Sequence, residues 1–159
     1  MNQPRSNEGM SLIVKTVCSW LKAFILLYGI HIILYGHLTP GGGFAGGVIA
    51  ASAFVLIMLA EGEAVGLKTF SRKAASTWDS AGVLIFLVMA GLGLVLAGTF
   101  FVNVWTTDQS AHFTLFSSGI IPACNIGIGL KVSSSLYLVF VVLTAIHVFS
   151  KPNGEGEQS

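Results

Sequence analysis

The 159 residues are 53% hydrophobic and only 9% charged, with a formal net charge of +1. At a mean hydropathy of +0.80, the chain has too little polar surface to coat a water-soluble globule of its size, which points to a bilayer protein. Its few basic residues stand singly rather than on one face, which argues against a nucleic-acid interface.

From the N-terminus, Met1 to Gly9 is polar with a single arginine, Arg5. The apolar stretch that follows is too long and lacks a small-residue cleavage site, so it reads as a retained anchor rather than a signal peptide. A helix rising ~1.5 Å per residue needs about 20 apolar residues to cross a ~30 Å hydrocarbon core. Such stretches fall at Thr16 to Gly36, Gly43 to Ala60, Ser80 to Phe101 and Ile126 to Val148. The expected architecture is all-α, a polytopic membrane protein with four transmembrane helices in residues 16–150. Tails at 1–15 and 151–159 flank that domain, the second acidic, glycine-containing and expected to be mobile.

Arg5, Lys15, Lys22, Lys68, Arg72, Lys73 and Lys151 border the spans on one side, whereas the connections 36–42 and 102–125 hold no Lys or Arg. The positive-inside rule places the basic side, and with it both termini, in the cytoplasm. Cys18 and Cys124 then fall near opposite membrane faces. A disulfide needs Cα atoms within about 7 Å, so both are expected to be free thiols.

The first outer connection is short, and Pro40 with Gly41 to Gly43 supplies a tight turn between the first two spans. The stretch Glu61 to Asp79 mixes both signs of charge and reads as an ordinary solvated connection. The second outer connection, Val102 to Asn125, exceeds the ~12 to 15 residues usual for a structureless loop. Trp105, Phe113, Phe116 and Ile120 make it too apolar to be solvated, so it is expected to fold onto the outer surface or onto a partner.

The densest motif is Gly36-His37-Leu38-Thr39-Pro40-Gly41-Gly42-Gly43-Phe44-Ala45-Gly46-Gly47. A phosphate-cradling loop would need a strand before the glycines and a basic residue after them, and neither is present. A packing role fits better. Gly42, Gly46 and Ala50 stack at four-residue spacing beside Gly43, Gly47 and Ala51, leaving one face of the second span almost without side chains. Another backbone, from this chain or another, can approach it closely. Small residues recur as Gly91, Gly93, Ala97 and Gly98 and as Gly127, Gly129 and Ser133 to Ser135. That is more close-packing surface than one small bundle is expected to consume, which favours a hetero-oligomer.

The stretch from Gly36 to Gly47 resembles the signature of the B subunit of Mrp-type multisubunit sodium/proton antiporters, a domain that recurs in the ion-translocating arm of membrane-bound hydrogenases. Residues 117–132, running from Ser117 through Pro122, Asn125 and Gly129 to Lys131 and Val132, are similar to that family's segment leading into the fourth helix. The resemblance implies a prokaryotic inner-membrane subunit that works only with other membrane subunits, in a complex exchanging sodium for protons. The homologous arm of a redox-driven complex is the other reading. It implies no reaction and no cofactor in this chain, with Pro40, Gly41, Gly42, Gly43, Phe44, Gly46 and Gly47 serving helix packing and assembly.

The titratable residues inside the spans are the ion-path candidates. Lys131 is expected about five residues into the fourth span, ~7 to 8 Å deep, with His31 at similar depth in the first. A lysine at a helix centre costs roughly 2.5 to 3.5 kcal/mol on insertion scales, less if its stem snorkels. Either Lys131 snorkels and His31 has a packing role, or both face a polar cavity near His37, Thr39 and Asn125. His147 reads as an interfacial anchor. His31, His37, His112 and His147 do not repeat at helical spacing, so no metal site is expected. Glu61, Glu63, Asp79 and Asp108 are placed at or beyond span ends, so neither a membrane-embedded carboxylate nor a catalytic acid is expected.

Overall fold

The computed structural model describes residues 11–103 and 118–150, with side chains to Ile146 in the last helix. Residues 1–10 and 151–159 of the expected tails lie outside the described residues, as do Trp105, Asp108, His112, Phe113, Phe116 and the side chain of His147, whereas residues 12–15, expected in the N-terminal tail, belong to the first helix.

The described chain forms α1 (Leu12–Leu34), α2 (Gly42–Glu61), α3 (Glu63–Thr69), α4 (Arg72–Ala97) and α5 (Ile121–Ser150). All of these except α3 are long and apolar enough to cross a membrane. Both α4 and α5 start earlier than the hydropathy pattern predicts. Ser71 caps α4 by accepting a hydrogen bond from the Ala74 N–H at 3.2 Å, and no Gly or Pro interrupts the residues from Arg72 to Asp79. Nothing therefore stops the helix from extending beyond its apolar part. The expected solvated connection is instead mostly helical.

Gly41, at φ 99°, turns the chain into α2, and Gly62, at φ 96°, separates α2 from α3. A side chain at either position would be strained in the left-handed region. The hairpin expected between the first two spans is present. Asn103 ties the ends of the second connection together, donating to the Ser118 carbonyl at 3.1 Å and accepting from the Ile120 N–H at 3.0 Å.

α2 packs against α1 and α5, and α4 packs on α5. The glycine face expected on α2 is used within this chain, by two neighbours at once. A Cβ on Gly46 would lie 2.8 Å from the Gly29 carbonyl of α1, and one on Gly47 would lie 2.9 Å from the Gly129 carbonyl of α5. Added to Gly43, it would strike the Asn125 carbonyl. The α4–α5 crossing repeats the device, since a Cβ on Gly82 would lie 2.6 Å from the Gly127 carbonyl. Much of the small-residue surface that favoured a hetero-oligomer is thus consumed internally. Gly91, by contrast, has open space where its Cβ would be.

At the α3 end of the bundle, Met58, Phe70, Ala75, Tyr137 and Val141 form an apolar core. Phe70 stacks on Phe54 with centroids 4.8 Å apart. The buried Tyr137 hydroxyl donates to the Phe70 carbonyl at 2.7 Å and lies 3.3 Å from that of Gly66. It thereby satisfies the carbonyls where α3 ends and pins α3 beneath α5.

Two outcomes follow from this packing. Replacing Gly47 with Leu drives a branched side chain into the α5 backbone, an overpacking cost of at least ~1 to 3 kcal/mol, so steady-state abundance of the chain should fall severalfold on immunoblots. Abundance equal to that of the parent would mean that α2 and α5 do not touch there. Tyr137→Phe removes only the hydroxyl and should cost about 1 kcal/mol, seen as a lower unfolding midpoint in detergent. An unshifted midpoint would leave α3 held by apolar contacts alone.

Candidate functional site

The early starts of α4 and α5 put both charged side chains inside continuous helices. Lys131 is ten residues beyond Ile121, the first residue of α5, ~15 Å along that helix. Asp79 is seven residues beyond Arg72, the first residue of α4, ~10 Å along it, and directly precedes the apolar run that opens at Ser80. It therefore stands where the polar first turns of α4 meet its apolar part, inside a helix rather than in the solvated connection expected there.

The two residues meet across the α4–α5 crossing. The Lys131 ammonium lies 2.6 Å from each oxygen of the Asp79 carboxylate, and the Ser135 hydroxyl donates to Asp79 Oδ1 at 2.5 Å. Lys131 and Ser135 are four residues apart and so share one face of α5. Asp79 sits over that step, so the lysine stem is committed to a partner inside the bundle instead of running up to the near interface. Side-chain exposures of 42% for Lys131 and 24% for Asp79 leave the pair reachable from one side. A groove of about 180 Å³ runs beside it, lined by Gly82, Val83, Phe86, Gly127, Ile128 and Lys131. The absence of side chains on Gly82 and Gly127 brings the two backbones close enough for lysine and aspartate to bond directly.

The other expected path residues lie elsewhere. His31 is exposed on the last turn of α1 with its ring 4.9 Å from that of Tyr35. His37 is half-buried in the hairpin turn. The structure does not gather these histidines around Lys131. In the hairpin, Gly36, Gly42 and Gly43 close around the buried Asn125, whose Oδ1 lies 3.4 Å from the Gly43 N–H. Pro40 and Phe44 are exposed there, and a Cβ on Gly41 would lie 2.6 Å from that of Ala45.

A second ion pair joins Lys22, in the middle of α1, to Glu61, the last residue of α2, at 3.0 Å. Arg72 lies 3.7 Å from Glu63 at the α3 end. No cluster of His, Cys, Asp and Glu capable of holding a metal ion occurs among the described residues. Both Asp79 and Ser135 were missed as site residues. The signal that finds them is the uninterrupted helix-forming run after Ser71, together with the four-residue step from Lys131 to Ser135.

Comparison with known proteins extends over the same helices. A family model described as a domain related to the MnhB subunit of Na+/H+ antiporter matches residues 13–138, which include both halves of the Lys131–Asp79 pair. An uncharacterized protein of Methanocaldococcus jannaschii is 31% identical over 153 residues, covering 92% of this chain and 57% of that protein. The B subunit of the Na(+)/H(+) antiporter of Bacillus subtilis is 37% identical over 97 residues, covering 61% of this chain and 57% of its own length. A chain from the structure of the membrane-bound sulfane sulfur reductase, an archaeal respiratory membrane complex, superposes with a TM-score of 0.65 at 28% identity. That match covers 89% of this chain and 60% of the other, so the chain spans under two thirds of each of these relatives. With its four apolar helices and a match across all of them, this chain belongs to the family of domains related to the MnhB subunit of Na+/H+ antiporters.

Proposed function

We propose that this chain is a small non-catalytic subunit of a multisubunit sodium/proton antiporter in a prokaryotic inner membrane, held in place by other membrane subunits. The observation that carries this reading is an ion pair inside a domain of the antiporter-subunit family. An ionisable pair within membrane helices is rarely kept for stability alone and commonly marks an ion or proton pathway. Sodium and protons are the transported ions on this reading. Among the described residues, Lys131 is supported by a partner carboxylate, that of Asp79; His31 and His37 are not gathered around that pair.

The bare surfaces support a role among partners. Leu12, Ile13, Val17, Trp20, Phe24 and Leu27 on α1 are mostly exposed, as are Leu84, Leu87, Val95 and Leu96 on α4. Lipid or neighbouring transmembrane helices can cover such faces. A second reading, a subunit of a redox-driven complex, is favoured by the likeness to the respiratory membrane complex. The N-in, C-in orientation belongs to the same proposal, with exposed Lys68, Arg72 and Lys73 at the α3 end on the cytoplasmic side.

Purification of a tagged chain in mild detergent should recover several further membrane proteins, and deletion of the chain should abolish sodium-dependent pH change in vesicles. A chain that elutes alone, with exchange unaffected by its deletion, sinks the subunit reading. Co-purifying redox proteins would favour the second one. For orientation, a fluorescent protein fused after Ser159 should be bright and an alkaline phosphatase fusion at the same point inactive; the reverse pattern inverts the topology.

A further inference from the structure

We propose that the exposed face of α4 running from Lys73 to Leu87 is a binding site for an anionic phospholipid of the leaflet at the α3 end, with the Lys73 ammonium on the phosphate and an acyl chain along Leu84 and Leu87. Such a site requires only that α4 cross a membrane, for which it is long and apolar enough. It is independent of which ions are transported.

Steps of three, four, seven, eleven and fourteen residues from Lys73 reach Ser76, Thr77, Ser80, Leu84 and Leu87, which therefore share one face of α4. All six residues are exposed. The face is graded along its length, with a cation first, then three hydroxyls, then two leucines. A phospholipid carries the complementary order of phosphate, glycerol esters and acyl chain.

The dimensions agree with that order. A hydrocarbon core of ~30 Å in a bilayer of ~40 to 45 Å leaves about 5 to 8 Å of headgroup and ester region in each leaflet. The hydroxyls lie ~4 to 10 Å along the helix from Lys73 and the leucines ~16 to 21 Å. Because helical side chains lean toward the N-terminal end of their helix, the Lys73 stem carries its ammonium further outward, toward the phosphates. The Thr77 and Ser80 hydroxyls donate to the carbonyls of Lys73 and Ser76, four residues back, at 2.9 and 3.1 Å. Their own helix thus satisfies both donors, and neither needs a partner residue at ester depth, where water is sparse.

The charge balance at this end favours a phosphate. Glu61 pairs with Lys22 at 3.0 Å and Glu63 faces Arg72 at 3.7 Å, whereas Lys68 and Lys73 stand exposed with no acid partner among the described residues. Asp79, the next acid along α4, is engaged by Lys131 of α5 and does not oppose a phosphate at Lys73. Basic residues close to a membrane surface attract anionic headgroups. A neighbouring transmembrane helix is the competing occupant of this face. It would have to bring its own acid to Lys73, whereas every anionic phospholipid carries a negative charge at that depth.

The test uses the full chain, delipidated in mild detergent, with native mass spectrometry to count the lipids it retains. Phosphatidylglycerol is the anionic probe and phosphatidylcholine the zwitterionic one. The parent should retain phosphatidylglycerol severalfold better, and Lys73→Gln should remove that preference while leaving the unfolding midpoint unchanged. Lys15→Gln, on α1, should retain the preference of the parent. Equal retention of both lipids by the parent, or a preference that survives Lys73→Gln, overturns the proposal. Glycerol 3-phosphate, which has the phosphate without the acyl chains, should not displace the lipid; displacement would mean a site for a free phosphate and overturn it too. Occupancy in the cell is read from the whole complex in its native membrane, with the photoreactive residue p-benzoylphenylalanine placed at Leu84. Illumination should give a phospholipid adduct, and an adduct with another subunit would show that a protein helix covers the face and overturn the proposal.

Discussion

The close approach of α2 to α1 on one side and to α5 on the other is the contact on which the remaining arrangement depends. In lipid no hydrophobic drive brings helices together, so association rests on dispersion and on hydrogen bonds made at short range. Gly43, Gly46 and Gly47 supply that range by presenting backbone where side chains would stand, and the carbonyls of Asn125, Gly29 and Gly129 occupy the space. Once α5 is seated on α2, its other side receives α4 through Gly82 and Gly127. The level at which these helices cross then decides which polar residues face one another.

Lys131 and Asp79 illustrate this dependence. Each alone is an expensive residue in a membrane helix, and each becomes tolerable only because the glycine crossing next to them brings α4 and α5 to hydrogen-bonding distance. Stability does not require the pair, since apolar side chains of similar volume commonly serve as well or better. Under the proposed function, the pair's place beside an apolar groove counts for chemistry rather than for packing. Lys22 and Glu61 make a weaker case, because Glu61 ends α2 and the long lysine stem can reach toward the interface.

The α3 end is built on a different principle. There an aromatic core of Phe54, Phe70 and Tyr137 and a buried hydroxyl hold the short helix α3 in place, as in a water-soluble protein. The charged residues Glu63, Lys68, Arg72 and Lys73 surround it. This polar collar contrasts with the bare apolar flanks of α1 and α4, and the contrast marks which surfaces meet water and which meet lipid or other subunits.

Much was legible in the sequence. Four apolar stretches of spanning length dictate four membrane helices, because a bilayer leaves a crossing backbone few other ways to satisfy its hydrogen bonds. The four-residue spacing of glycines on α2 announced a helix face made for close approach, and the Gly36 to Gly47 motif carried the family resemblance. Tertiary structure alone decided which helices fill that face, since Gly46 and Gly47 are adjacent in sequence yet meet different neighbours. It alone decided that Asp79 lies within a helix, because hydropathy reports where a helix is apolar and not where it begins. It also brought Asp79 to Lys131, since a contact across 52 residues depends on how far two helices slide along each other, and that level is set by backbone contact at Gly82 and Gly127, which no local pattern encodes.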